Sequence, residues 1–325
     1  MASLAARLAC AYFRRRLRPR LSGALGPERF PIERNRSIDQ NSLQIEKARA
    51  VPDPIGSETA LAAAKSALEL RFPWPDFSRR ERDAEIGGEW TRAVRREPVA
   101  TLIYLHGGAF FAGAPHLRRP ITGFFAKAGF DVLAPAYRLA PEHLFPAALD
   151  DCLAAYETLS ARVRGPIALA GDSAGGGLAL ALALRLRERG APLPRALALF
   201  SPWTDLSATG ASAQENEGAD PIFTRRALKL AARQYLGRAS ARDPRASPLF
   251  ADLSGLPPML IHVGADELLL DDSRRLAERA AAAGVSVDLS IWPIVPHGWQ
   301  MGVAFMPEAR SSLAETAAFL SRATR

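Results

Sequence analysis

IALAGDSAGGGLALALALRLRERG, residues 167–190, reads as a strand, a tight turn and a helix in immediate succession. Ile167–Ala170 is a short apolar run suited to a buried strand, and Ala174–Arg189 is rich in helix formers. Between them, Gly171-Asp172-Ser173-Ala174-Gly175 sets a serine among small residues. Small residues permit a sharp strand-to-helix turn that holds the serine hydroxyl above a sheet. The helix start then offers N–H groups and positive dipole to developing negative charge. In this setting Ser173 is a candidate nucleophile.

The alternation continues outward. Apolar runs at Val99–Leu105, Phe130–Ala134, Ala196–Phe200, Met259–Val263 and Val287–Ile291 predict further strands. Residues 117–128, 144–162, 272–283 and 308–322 predict helices. Ala84–Ile86 and Trp90–Val94 flank Gly87-Gly88 as an opening hairpin. Continuous apolar strands between helices predict an α/β fold, a mostly parallel sheet covered on both faces. Two segments break the pattern. Residues 1–80 look helical in pieces (Leu43–Ala50, Ser57–Leu70), and residues 204–248 interrupt the alternation with a polar loop and a helix near Thr224–Leu236. Both suit a helical cap over the sheet's rim, leaving 81–325 as the catalytic domain.

Composition narrows the class. The chain has 325 residues, 48% hydrophobic and 23% charged, which is enough to bury one large core. Its formal charge of +8 suggests nucleic acid until it is located, because residues 1–36 carry nine arginines against Glu28 and Glu33. The remainder is nearly neutral, so no nucleic-acid partner is expected. Residues 1–20 predict a short helix with Leu4, Leu8 and Tyr12 on one face, followed by Arg14-Arg15-Arg16. The charge follows the apolar part, the reverse of an export signal, so the cytoplasm is the default compartment. This segment suits a transit peptide, a membrane-surface anchor or, as the preferred reading, a helix packed over the protein with its arginines solvated. Cys10 and Cys152 have no metal-ligand spacing and read as plain buried thiols.

A serine nucleophile needs an oxyanion site, a base and an orienting acid. His106-Gly107-Gly108-Ala109-Phe110 follows the strand 99–105, and its glycines let main-chain N–H groups approach a substrate. Gly107, Gly108 and Ala174 are the expected donors, with His106 holding the loop. Of five histidines, three precede Ser173 and His262 lies inside a strand, which leaves His297 in Pro296-His297-Gly298-Trp299 as the base. Asp266 and Glu267, after the strand 259–263, are the candidate acids, while Asp271 and Asp272 suit a helix cap.

Together HGGAF (106–110), YRLAPEH (137–143), FPAALDD (145–151), GDSAGG (171–176) and PHGW (296–299) resemble the hormonesensitive-lipase-like esterases, bacterial family IV of the α/β-hydrolase fold. The resemblance runs from about residue 95 to the C-terminus. It implies a serine carboxylesterase for small-molecule esters of short to medium acyl chain, no cofactor or metal, and a cap of N-terminal helices plus a late insertion. A homodimer is common in that family, although no motif here demands one. The family's D-P-L-x-D-E run is altered to Ala265-Asp266-Glu267-Leu268-Leu269-Leu270-Asp271. Register, four before Asp271 and thirty before His297, favours Glu267, while residue type favours Asp266. Ala109 replaces the family's third glycine. Tyr137, Arg138 and Glu142 look structural, with an Arg138–Glu142 ion pair able to brace the loop. Phe110, Phe111, Trp203, Phe223 and Trp299 are candidate pocket residues. The same triad would serve a lactonase, amidase or deacetylase, and a ligand-binding homologue without catalysis is the non-enzyme alternative.

Overall fold

Strand β1 is Arg80–Asp83, β2 Gly88–Thr91, β3 Thr101–Leu105, β4 Asp131–Pro135 and β5 Ile167–Asp172. They are followed by β6 Leu197–Phe200, β7 Met259–Gly264 and β8 Val287–Trp292. The computed structural model describes residues 2–24, 65, 66, 68, 69, 79–94 and 97–325. The eight strands form one sheet in the order β1-β2-β4-β3-β5-β6-β7-β8. The β1–β2 and β2–β4 pairs are antiparallel, and every other pair is parallel.

Strands β3, β5, β6 and β7 are buried along their whole length because both sheet faces are covered. Alternate residues feed two separate cores. Ile103, Leu169, Leu199 and Ile261 pack with Leu149, Leu178 and Leu276 from the helices Ala147–Arg162, Ala174–Glu188 and Leu270–Ala282. Leu102, Ala170, Phe200 and Leu260 pack with Ile121, Phe125 and Leu313 from Arg119–Lys127 and Pro307–Ala323. The first strand of the hairpin lies earlier than the sequence suggested. Residues 84–87 are the turn, and Asp83 Oδ1 accepts from Glu85 N and Ile86 N at 3.2 and 3.0 Å. β1 is the charged Arg-Glu-Arg-Asp run, which suits a sheet edge and hides a strand from an apolar-pattern search.

The N-terminal segment is helical, as expected, but it buries a different face. It runs as Leu4–Tyr12, a π-helical Phe13–Leu17 and Arg18–Ala24. Ala6, Cys10, Phe13, Leu17 and Leu21 face inward, whereas Leu4, Leu8 and Tyr12 are exposed. The small Ala6 and Cys10 extend the Phe13–Leu17–Leu21 stripe and were missed by counting large residues. Glu308 accepts from Ser3 N at 2.6 Å and Ser3 Oγ at 2.8 Å, tying the helix start to Pro307–Ala323. Arg14 Nη2 donates to Ala219 O at 2.9 Å, tying it to the segment between β6 and β7. The expected helix Leu43–Ala50 and most of Ser57–Leu70 fall outside the described residues.

Candidate active site

Ser173 sits directly after β5 with φ 56° and ψ −122°, a conformation that costs energy for any residue bearing a Cβ. The strain is held by neighbours on both sides. Ser173 N donates to Phe200 O at 2.8 Å, and Ser173 O accepts from Trp203 N at 3.0 Å. A side chain at Gly175 would collide with the backbone oxygen of Leu105, so the helix meets β3 only because that position is bare.

His297 follows β8, and Glu267 follows β7, both beyond the C-terminal ends of these adjacent parallel strands. His297 Nδ1 donates to Glu267 Oε2 at 2.6 Å. Glu267 is fully buried, and its other oxygen, Oε1, accepts from Ser201 Oγ and Gly264 N, each at 2.7 Å. Asp266 is only half-buried, and the structure places Glu267, not Asp266, against the imidazole. Burial pushes the His297 imidazole toward neutrality, but the Glu267 charge and hydrogen bond outweigh it and raise its pKa above the usual histidine value. Ser173 and His297 line one pocket. Among the described residues no hydrogen bond joins them, and such contacts often tighten only in the substrate complex.

One expected oxyanion donor is otherwise engaged. Gly107 N donates to Asp172 Oδ1 at 3.0 Å, so its N–H is committed to the protein. No protein acceptor takes the N–H of Gly108, Ala109 or Ala174 among the described residues, and Gly108 and Ala109 line the pocket. Gly108 and Ala109 are thus the loop residues whose N–H groups are left without a protein acceptor at the pocket, one residue later than the Gly107–Gly108 pair expected from the sequence. Asp172 also accepts from Arg118 Nη2 at 2.9 Å and from Tyr104 OH at 2.9 Å. Burial would raise its pKa, but the Arg118 charge and these hydrogen bonds hold it below the usual carboxylate range. His106 stacks on Tyr137 with ring centroids 4.3 Å apart, and burial lowers its pKa to about 4. It is neutral at pH 7 and holds the loop by donating from Nδ1 to Gly107 O at 3.0 Å.

The segment between β6 and β7 buttresses the acid loop, which the sequence did not suggest. Asn216 Nδ2 donates to Ala265 O and Glu267 O at 3.1 and 2.8 Å. Asp220 accepts from Leu268 N at 2.9 Å with one oxygen and from Ile222 N and Phe223 N at 2.7 and 2.9 Å with the other. That turn sets the Phe223 ring edge-on to His297, centroids 4.9 Å apart. Asp271 and Asp272 also serve this segment. Asp271 accepts from Ser212 N at 2.9 Å, and Asp272 from Thr204 N and Asp205 N at 2.7 and 2.8 Å, so neither caps its own helix.

The pocket and the open solvent at its mouth together span about 780 Å³ of space between atoms. Phe13 and Leu17 of the N-terminal helix line one side, with Phe223, Trp299, Phe305 and Met306 around them. Phe110, Phe111 and Trp203 belong to the core beneath. Arg138 pairs with Asp151 at 2.7 Å instead of Glu142, because Asp151 on the helix Ala147–Arg162 faces back toward the end of β4. His262 is buried in β7 against Ser312 Oγ at 2.8 Å, and Cys10 and Cys152 are buried free thiols.

Comparison with known proteins agrees with this fold. A family model described as the alpha/beta hydrolase fold matches residues 102–301. The chain is similar to an acetyl-hydrolase of Streptomyces hygroscopicus, 42% identical over 73% of this chain and 80% of that protein. It is 38% identical to an esterase of Acinetobacter venetianus, over the same shares of the two proteins, 73% and 80%. Among solved structures, it resembles an esterase of the bacterial hormone-sensitive lipase family with TM-score 0.79 and 35% identity, covering 96% of this chain and 98% of the other. No helix among the described residues is long and apolar enough to cross a membrane.

Proposed function

The chain belongs to the α/β hydrolases, in the branch of the bacterial hormone-sensitive-lipase esterases, and from that premise we propose that it hydrolyses carboxylic esters through Ser173, His297 and Glu267. The observation that carries the proposal is the 2.6 Å His297–Glu267 hydrogen bond, beside a strained serine and three uncommitted N–H groups. Glu267 holds the imidazole with Nδ1 protonated, which leaves Nε2 as the base. Ser173 Oγ attacks the ester carbonyl carbon, and its proton passes to His297 Nε2. The carbonyl oxygen becomes an oxyanion bound by Gly108, Ala109 and Ala174, a stabilisation of about 3 kcal/mol per donor in comparable sites. His297 then protonates the departing alkoxide, which leaves as the alcohol. Water, deprotonated by the same nitrogen, attacks the acyl-serine; the acid departs and Ser173 recovers its proton.

The N-terminal helix and the segment at about 204–248 form the cap. Phe13, Leu17, Phe223, Phe305 and Met306 give the acyl chain an apolar but bounded space, which supports short to medium chains. The name of the Acinetobacter relative, esterase, favours ester over amide substrates. Hydrolysis of p-nitrophenyl esters from acetate to dodecanoate tests the proposal, with Ser173→Ala alongside. A burst followed by turnover, best on the short chains and absent in Ser173→Ala, is expected. Folded wild-type protein inert to every ester, or a fully active Ser173→Ala, would overturn it.

A further inference from the structure

Among the described residues, eight large apolar side chains are exposed, and three of them fall on one helix. Leu4, Leu8 and Tyr12 are 73%, 60% and 58% exposed, and their spacing of four sets them on a single outward stripe. Arg7, Arg15 and Arg16 are exposed along the same helix, and no acidic residue lies within residues 2–24. The opposite face of this helix belongs to the enzyme, since Ala9, Phe13 and Leu17 line the catalytic pocket. Phe305, 46% exposed, lines the same pocket. One helix therefore covers the pocket with one face and turns an apolar and basic face outward.

We propose that this outer face, Leu4, Leu8 and Tyr12 flanked by Arg7, Arg15 and Arg16, docks on an anionic phospholipid bilayer. The chemistry matches an interfacial helix, whose apolar stripe enters the acyl boundary while arginines meet headgroup phosphates. Charge complementarity commits the occupant: a stripe so flanked favours an anionic surface and opposes a second basic helix of the same kind. The helix is braced for this role. Ser3 is held by Glu308, and Arg14 is bound to Ala219 O, so the outer stripe is presented on a tethered scaffold. Docking there sets the pocket wall against the lipid, which delivers esters dissolved in the bilayer.

The test is sedimentation of the full chain with large unilamellar vesicles of phosphatidylcholine, alone or with phosphatidylglycerol. Binding is read without any turnover, so its outcome is independent of the esterase proposal. Wild type should sediment with the anionic vesicles and be released by salt. Leu4→Glu/Leu8→Glu should lose vesicle affinity about tenfold or more, and Arg7→Gln/Arg15→Gln/Arg16→Gln should lose the preference for anionic lipid. Both variants should keep the wild-type melting curve by circular dichroism, since none of these side chains is buried. Wild type remaining in the supernatant, or both variants binding as well as wild type, would overturn the proposal. So would a dimer by light scattering that Leu4→Glu/Leu8→Glu dissociates, because the face would then belong to a second copy.

Discussion

Replacing Glu267 by glutamine removes one charge and leaves the shape of the side chain. The carboxylate makes three contacts, with His297 Nδ1 at 2.6 Å through Oε2 and with Ser201 Oγ and Gly264 N at 2.7 Å through Oε1. Only an acceptor satisfies both the imidazole N–H and the Gly264 N–H, and a carboxamide has one acceptor oxygen. If that oxygen turns to Gly264, the amide N–H₂ faces Nδ1 and selects the tautomer with Nε2 protonated, which cannot take the Ser173 proton. If it turns to His297, an N–H₂ is forced against the Gly264 N–H, an unmet buried donor worth about 1–3 kcal/mol. The tautomer error in a comparable triad, in which the carboxylate was likewise replaced by its amide, costs about 10⁴ in kcat. A loss of about 10³–10⁴ is therefore expected for Glu267→Gln, or roughly 4–5.5 kcal/mol of transition-state stabilisation. The pH profile must move as well. His297 is active as a base when neutral, and Glu267 raises its pKa while burial lowers it. The acid limb of kcat/KM should lie above the usual histidine value in wild type and shift to lower pH in Glu267→Gln. Stopped-flow acylation with p-nitrophenyl acetate across pH 5–9, beside Asp266→Asn, measures both effects. Asp266→Asn costing more than Glu267→Gln, or a loss below about tenfold in Glu267→Gln with no shift of the limb, would refute the reasoning.

Arg118→Ala leaves the buried Asp172 carboxylate without its counter-charge, and the loss should be about 3–5 kcal/mol in urea denaturation, with kcat falling as the Gly107 anchor loosens. Asp272 is a buried acid whose pKa is raised from 3.8 to about 7, chiefly by desolvation. The folded protein thus holds that proton more tightly than the unfolded chain; this stabilisation is full below about pH 4 and is lost as pH rises through about 7. Asp272→Asn should remove the slope, closing a difference of about 3 kcal/mol between the unfolding free energies measured at pH 5 and pH 8. Phe13→Ala opens the pocket on the N-terminal helix side, and the ratio of kcat/KM for p-nitrophenyl octanoate over butyrate should rise about tenfold.

Groups carried by a local turn were legible in the sequence, and groups defined by a distant partner were not. Ser173 could be read because its turn is written in five adjacent residues. His297 could be read because it alone follows the last strand. Glu267 was favoured over Asp266 by register, and the structure gives a reason for that outcome: its longer side chain folds back to accept from Gly264 N while still reaching His297. Gly107 was expected as a donor, but its N–H is taken by Asp172, 65 residues away, a contact its own motif does not reveal. The same cause hid Asn216 and Asp220, whose work is done on Ala265, Glu267 and Leu268 across about fifty residues. It also redirected Arg138, for which the YRLAPEH segment offered Glu142 as a partner while the fold brings Asp151 nearer. The altered acid loop follows from these contacts. The proline of the family's acid run is absent here, and the chain instead pins that loop with Asn216, Asp220 and Ser212 from the segment above it. An acid loop held by residues 212–220 ties the position of the imidazole to the position of the segment between β6 and β7. A displacement at Phe223 is therefore felt at His297 through ring contact and through Asp220 alike.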